Sequence, residues 1–278
     1  MSKLTSADSL EDDFYLSGSG SEPELDETTE PTEDVSDDEE QDVPTETKKR
    51  KVEAKEEPKK AKKAKKPKKA YALEVEFGHM SAGEQAKYYF EKQRDCRSKL
   101  SELELQELEF DESCFVDTRE FELEHTLENM TKVLQKIIPS YKARLVRKPA
   151  KKGAPSLIII CSSAIRAVDL CRAVKELTKT CPVGKLFAKH KKLAEQISFL
   201  KAFDFNIAIG TPNRIMKILE DSDALDLERL ELCLIDCHRD QKERTIFDIP
   251  ECRGDLFTLL GNHLTPRFKA DQTKLVFY

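Results

Sequence analysis

No tryptophan occurs in this sequence, and aromatic residues of all kinds make up 7% of it. With 38% hydrophobic residues in 278, part of the chain is expected to bury no core. A segment folds only when the apolar surface it hides outweighs the entropy of ordering it. Long apolar runs are missing too. None approaches the roughly 20 residues needed to cross a bilayer, so no membrane partner is expected. The amino terminus has no apolar stretch behind a basic start, so a secretory signal is not expected either. Disulfide-like spacings are also lacking: the eight cysteines stand singly at 96, 114, 161, 171, 181, 233, 237 and 252. In a Lys/Glu-rich chain without a secretion signal they read as reduced thiols of an intracellular protein.

What is present is charge, and it is segregated behind a net value of -6. From Met1 to Thr47 almost every charge is acidic, with "SLEDDF" and "EDVSDDEEQD" the densest runs and Lys3 the only base. The sign then inverts in two basic clusters. Lys48, Lys49, Arg50 and Lys51 form the first; Lys59, Lys60, Lys62, Lys63, Lys65, Lys66, Lys68 and Lys69 form the second. Such blocks repel themselves and have little to bury, so residues 1–70 are expected to be a disordered acidic, then Lys-rich tail. The two clusters fit a nuclear import address and an arm that contacts nucleic acid. A nuclear or nucleolar location follows. Ser9, Thr32 and Ser36 lie just before acidic residues, the context that acidophilic kinases prefer.

Residues 71–139 read as a helical lead-in. In "SAGEQAKYYFEKQRDCRSKLSELELQEL", Ser81 and Glu84 stand at capping-box spacing, and apolar residues recur at helical period through 108. In "DTREFELEHTLENMTKVLQKII", Asp117 or Thr118 can cap a second helix whose stripe runs 123, 127, 130, 134, 137 and 138, ending at Pro139. His125 lies near that stripe and reads as a packed or half-exposed histidine. Residues 140–155 are polar and basic and read as a loop.

After Pro155 the rhythm changes. "SLIIICSS", "VGKLF", "FNIAIG", "LELCLID" and "TKLVFY" are short apolar runs of strand length, separated by amphipathic helices. That alternation predicts crossover units, and therefore an α/β fold whose mainly parallel sheet is covered on both faces. An open, doubly wound sheet of about five strands over 156–278 is expected.

In such sheets ligands sit at the carboxyl ends of the strands. In "IGTPNRI", Gly210 permits a tight exit, Thr211 can cap, and Pro212 suits the first helical position. The amides of Asn213 and Arg214 then point out of a helix start, with a permanent cation beside them, which suits phosphate. "CSSAIR" offers Ser162 and Ser163 in the same way. "LIDCH" brings Asp236, Cys237 and His238 to a third strand end.

The endings "CSSAI", "GTPNRI" and "LIDCH" resemble degraded forms of three motifs of the DEAD-box RNA helicases, P-T-R-E-L, T-P-G-R and D-E-A-D, from the first RecA-like lobe. Thr211-Pro212-Asn213-Arg214 departs only at Asn213, whereas Ser163 stands where that family has arginine. The resemblance implies that Ser162, Ser163, Thr211, Pro212, Asn213 and Arg214 hold RNA backbone. It does not extend to catalysis. The phosphate loop G-x-x-x-x-G-K-[ST] is missing, and the sole Gly-Lys, at Gly184, is followed by leucine. Cys237 replaces the glutamate that orients water, and the sequence ends at Tyr278, before the S-A-T motif and a second lobe. No ATP-driven activity is expected, and no cofactor. Cys233, Cys237, His238 and Cys252 are the residue types of a zinc set. On an extended strand Cys233 and Cys237 would lie about 13 Å apart, so no metal is expected.

Taken whole, the sequence is similar to the Cms-type proteins of eukaryotes, a DEAD-box-derived family associated with small ribosomal subunit precursors. The resemblance implies a nucleolar, non-enzymatic assembly factor with pre-rRNA and pre-ribosomal proteins as partners. A protein–protein adaptor whose lobe never touches RNA is the competing expectation.

Overall fold

The computed structural model describes residues 77–188 and 192–278. The basic clusters at 48–69, Ser9, Thr32 and Ser36 all lie outside the described residues.

The five apolar runs form β1 (Leu157–Ile160), β2 (Gly184–Leu186), β3 (Ile207–Gly210), β4 (Leu232–Ile235) and β5 (Lys274–Phe277). They make one all-parallel sheet in the order β2-β3-β1-β4-β5. Period-two alternation divides its side chains between two cores. Ile158, Ile160, Ala208, Cys233, Ile235, Leu275 and Phe277 face one side. Leu157, Ile159, Ile207, Ile209, Leu232, Leu234 and Val276 face the other. The first core takes residues of α1 (Ala82–Cys96), α5 (Leu193–Ala202), α6 (Pro212–Asp221) and α7 (Pro250–Leu259). The second takes those of α3 (Met130–Ile137) and α4 (Ala164–Ala173).

That division follows from the handedness of crossovers. From β1 the chain moves one way along the sheet to β2, then the opposite way through β3, β4 and β5. Right-handed connections therefore put α4 on one face and α5, α6 and α7 on the other. The reversal leaves a switch point between the carboxyl ends of β1 and β4.

The lead-in departs from expectation in two places. The first helix breaks at Arg97, whose guanidinium donates to the Phe257 carbonyl at 2.9 Å. A second capping box, Ser101 with Glu104, starts α2 (Glu102–Glu107). The second predicted helix begins only at Met130. Its first half is held by tertiary bonds: Val116 N donates to Leu275 O at 2.9 Å and Thr118 N to Met80 O at 3.0 Å. In the loop, residues 142–146 form a single wide helical turn. Gly153 takes a φ of +67°, a conformation in which a side chain is strained.

Buried Gln85 on α1 closes the outer side of β5. Its Oε1 accepts from Phe277 N at 3.0 Å, while its Nε2 donates to Val116 O at 2.6 Å.

His125 stacks on Tyr278, with ring centroids 4.3 Å apart. Burial, with His79 adding to it, holds the imidazole down at about 4, against an ordinary 6.5. Between those values the unfolded chain binds a proton that the folded chain does not. Stability is therefore expected to fall as pH drops through that window. His125→Phe keeps the stacked ring and should flatten this part of the curve. Urea midpoints at about pH 7 and about pH 5 check it; an unchanged pH slope would assign the loss to another group.

Candidate anion-binding rim

β1 and β3 are neighbours, with Ile160 paired to Gly210. Cys161 and Thr211 therefore leave the sheet side by side at its carboxyl edge, at the strand spacing of about 4.8 Å, with Ser162 the next residue on from Cys161. All six residues expected to hold RNA backbone lie at these two strand exits. Ser162 and Thr211 are half-buried, Ser163 and Asn213 exposed, Pro212 buried and Arg214 half-buried.

The two helix starts are not equivalent. Ser163 caps α4 by accepting from Arg166 N at 3.2 Å, so its hydroxyl is engaged. Thr211 stands at the cap position of α6 with no side-chain cap bond. Its own N–H donates to Leu186 O at 3.1 Å. Pro212 occupies the first turn, where a missing N–H costs nothing. The first amides of α6 are thus left unclaimed by a cap, next to the Arg214 guanidinium. Gly210 matters here for room, since a Cβ on it would strike the Leu186 backbone.

The third strand end is closed. Asp236, 1% exposed, accepts from Arg166 Nε at 2.8 Å and Nη2 at 2.7 Å. This bidentate pair fills the switch point between β1 and β4 and engages both carboxylate oxygens. Cys237 is buried and its N–H donates to Tyr278 O at 2.6 Å. Burial, reinforced by neighbouring Asp236, pushes its thiol well above the ordinary range, so it stays protonated and a poor nucleophile. Cys233 is pushed up by burial as well, and Cys252 Sγ reaches Ser162 O at 3.1 Å. All eight cysteines are free, and among the described residues no group of three or more His, Cys, Asp or Glu converges on a metal-sized point.

The edges of the sheet differ in how their cations are used. At the amino edge Lys148 pairs with Asp204 at 2.9 Å, Lys151 with Glu228 at 2.5 Å, and Arg144 with Glu231. Three cations of the basic stretch before β1 are therefore spent on internal ion pairs. At the carboxyl edge the order reverses. Asp236 is taken by Arg166, Asp240 by Arg244 and Asp248 by Lys92. Arg214 donates to a neutral partner, Gln196 Oε1, at 3.2 Å, and exposed Lys192 opens α5. Lys189, His190 and Lys191 precede it in sequence and lie outside the described residues.

Sequence reasoning missed Gln196, Lys192 and the Arg166–Asp236 pair. Gln196 carried a signal: it shares a helix face with Leu193, Ile197 and Leu200, where a polar residue is out of place.

A family model described as CMS1, U3-containing 90S pre-ribosomal complex subunit, matches residues 29–278. Protein CMS1 of Chaetomium thermophilum is 36% identical over 211 residues, 74% of this chain and 83% of that protein. Protein CMSS1 of Xenopus laevis is 37% identical over 179 residues, 64% of this chain and 62% of that protein. Protein CMSS1 of Homo sapiens is 34% identical over 174 residues, 62% of this chain and 60% of that protein. The matched part thus spans less than two thirds of either vertebrate relative. With a match that takes in the whole sheet and the strand exits around it, the chain belongs to the CMS1 family.

Proposed function

We propose that this chain is a non-catalytic, RNA-binding assembly factor of small ribosomal subunit biogenesis, acting in the nucleolus. Its lobe derives from a DEAD-box-like ancestor and holds RNA backbone at the carboxyl rim of the sheet through Ser162, Ser163, Thr211, Pro212, Asn213 and Arg214. The basic arm from Lys48 to Lys69 adds sequence-blind attraction to phosphate. The family description, a subunit of a U3-containing 90S pre-ribosomal complex, supports pre-rRNA and pre-ribosomal proteins as its partners. Ser9, Thr32 and Ser36 are candidate phosphorylation sites in the acidic tail. Residues 1–70, 71–139, 140–155 and 156–278 are the proposed working divisions of the chain.

The observation that carries the proposal is the contrast between the edges. Arg144, Lys148 and Lys151 are neutralised by acids at the amino edge, while at the carboxyl edge Asp236, Asp240 and Asp248 are neutralised and Arg214 is held by a neutral amide. Polyanions are drawn to the second arrangement. A non-catalytic role is supported by Asp236, whose oxygens are occupied by Arg166, and by the protonated Cys237 thiol.

Arg214→Glu in the full chain is expected to weaken binding of a single-stranded RNA about tenfold at low salt, and to lessen the salt dependence. Anisotropy titrations with a labelled oligonucleotide measure both. A second reading, a protein adaptor, is favoured by Ile165, 74% exposed in the first turn of α4 beside Ser163. An Arg214→Glu curve that overlies the wild type would select it.

A further inference from the structure

Gln196 is 2% exposed, yet it is polar and lies on the apolar face of α5. Its amide is used at both ends. Nε2 donates to the carbonyls of Lys185 and Phe187, the latter at 3.4 Å, where β2 ends. Oε1 accepts from Arg214 Nη1 at 3.2 Å, where α6 begins. Because the amide is planar, tethering its nitrogen to the β2 exit fixes where its oxygen points. We infer that Gln196 is a positioning residue for anion binding: it orients Arg214 toward the rim and joins the end of β2 to the α6 start as one site.

The chemistry of the partner carries this. Arg119, Arg144, Arg166, Arg172 and Arg244 each face a carboxylate, which holds the guanidinium but cancels its charge. Arg97, Arg229, Arg239 and Arg267 rest on neutral groups, as Arg214 does, but Arg214 does so beside the uncapped start of α6. Gln196 holds Arg214 without cancelling it. Glutamate could not take this place, because it has no N–H for the Lys185 and Phe187 carbonyls. An arginine that meets a phosphate is served by a neutral acceptor, which lowers the entropy lost on binding and leaves the positive charge in place. A single guanidinium N–H is spent on Gln196, so the rest of the donor fork stays open for a phosphodiester oxygen.

The inference rests on the rim reading, and one experiment separates the two. In the full-length chain, with the arm cations from Lys48 to Lys69 changed to glutamine, affinity for a labelled oligouridylate is measured across salt concentrations. The variants are Arg214→Ala, Gln196→Leu, Gln196→Met and the Gln196→Leu/Arg214→Ala double. Gln196→Leu is expected to weaken binding about as much as Arg214→Ala and to add nothing once Arg214 is gone. Each should lower the salt slope by about 0.7, the value for one phosphate contact on a single strand. Fold damage would lower affinity in the Arg214→Ala background as well, so the double variant separates it from lost positioning. If Arg214→Ala weakens binding but the Gln196 variants do not, or if the losses simply add, Gln196 has no positioning role. If Arg214→Ala itself changes nothing, the rim reading fails and the inference falls with it.

Discussion

Arg166→Ala is expected to cost about 3–5 kcal/mol of stability, the usual loss when one member of a buried ion pair is removed. Asp236 would be left 1% exposed with neither carboxylate oxygen bonded to a guanidinium. The reverse change should be milder. Asp236→Ala strands a guanidinium that is already 12% exposed on a long stem, and such a stem reaches water more easily than a short carboxylate can. Replacing both, as Arg166→Met with Asp236→Leu, should recover most of the loss, because two well-packed apolar side chains cost no desolvation. Urea unfolding of the three variants tests this ordering. Equal losses below about 1 kcal/mol on both sides would mean that water screens the pair.

Gly210→Ala should cost about 3 kcal/mol or more, at the top of the range for overpacking. A Cβ at this position would strike the Leu186 carbonyl oxygen and lie 2.5 Å from the Leu186 Cβ and 2.6 Å from its carbonyl carbon. None of these atoms is the free end of a flexible side chain. The Leu186 carbonyl also accepts the Thr211 N–H, so moving it would break the bond that sets the rim. The same variant should therefore lose RNA affinity along with stability. A normal melting midpoint for Gly210→Ala would contradict the close approach of β2 and β3.

Much of the architecture was legible because strand runs such as "SLIIICSS" and "FNIAIG" are short, fully apolar and bounded by helical period. Pro212 behind Thr211 marked the start of α6 correctly for the same local reason. The stretch from 117 to 129 was not legible. Its apolar spacing at 123, 127 and 130 imitates a helix, yet Val116 and Thr118 are bonded to Leu275 and Met80, residues distant in sequence. Tertiary bonds of this kind override local period. The Ser101–Glu104 box, by contrast, was a local signal that marks the restart of the helix. At the rim, the residues at the strand exits could be nominated because a strand end is visible in the sequence. Their partners could not. Arg166 meets Asp236, and Gln196 meets Arg214, only because the strand order brings β1 beside β4 and β2 beside β3.

The seal that Gln85, Phe115 and Val116 place along β5 has a consequence for how the molecule tolerates being shortened. Trimming the chain to its strand-and-helix repeat would bare a flat row of backbone donors and acceptors, a template for stacking one molecule onto the next. The helices ahead of the sheet thus act as a guard against self-association, and a fragment lacking them should come out of solution as fibres or aggregates.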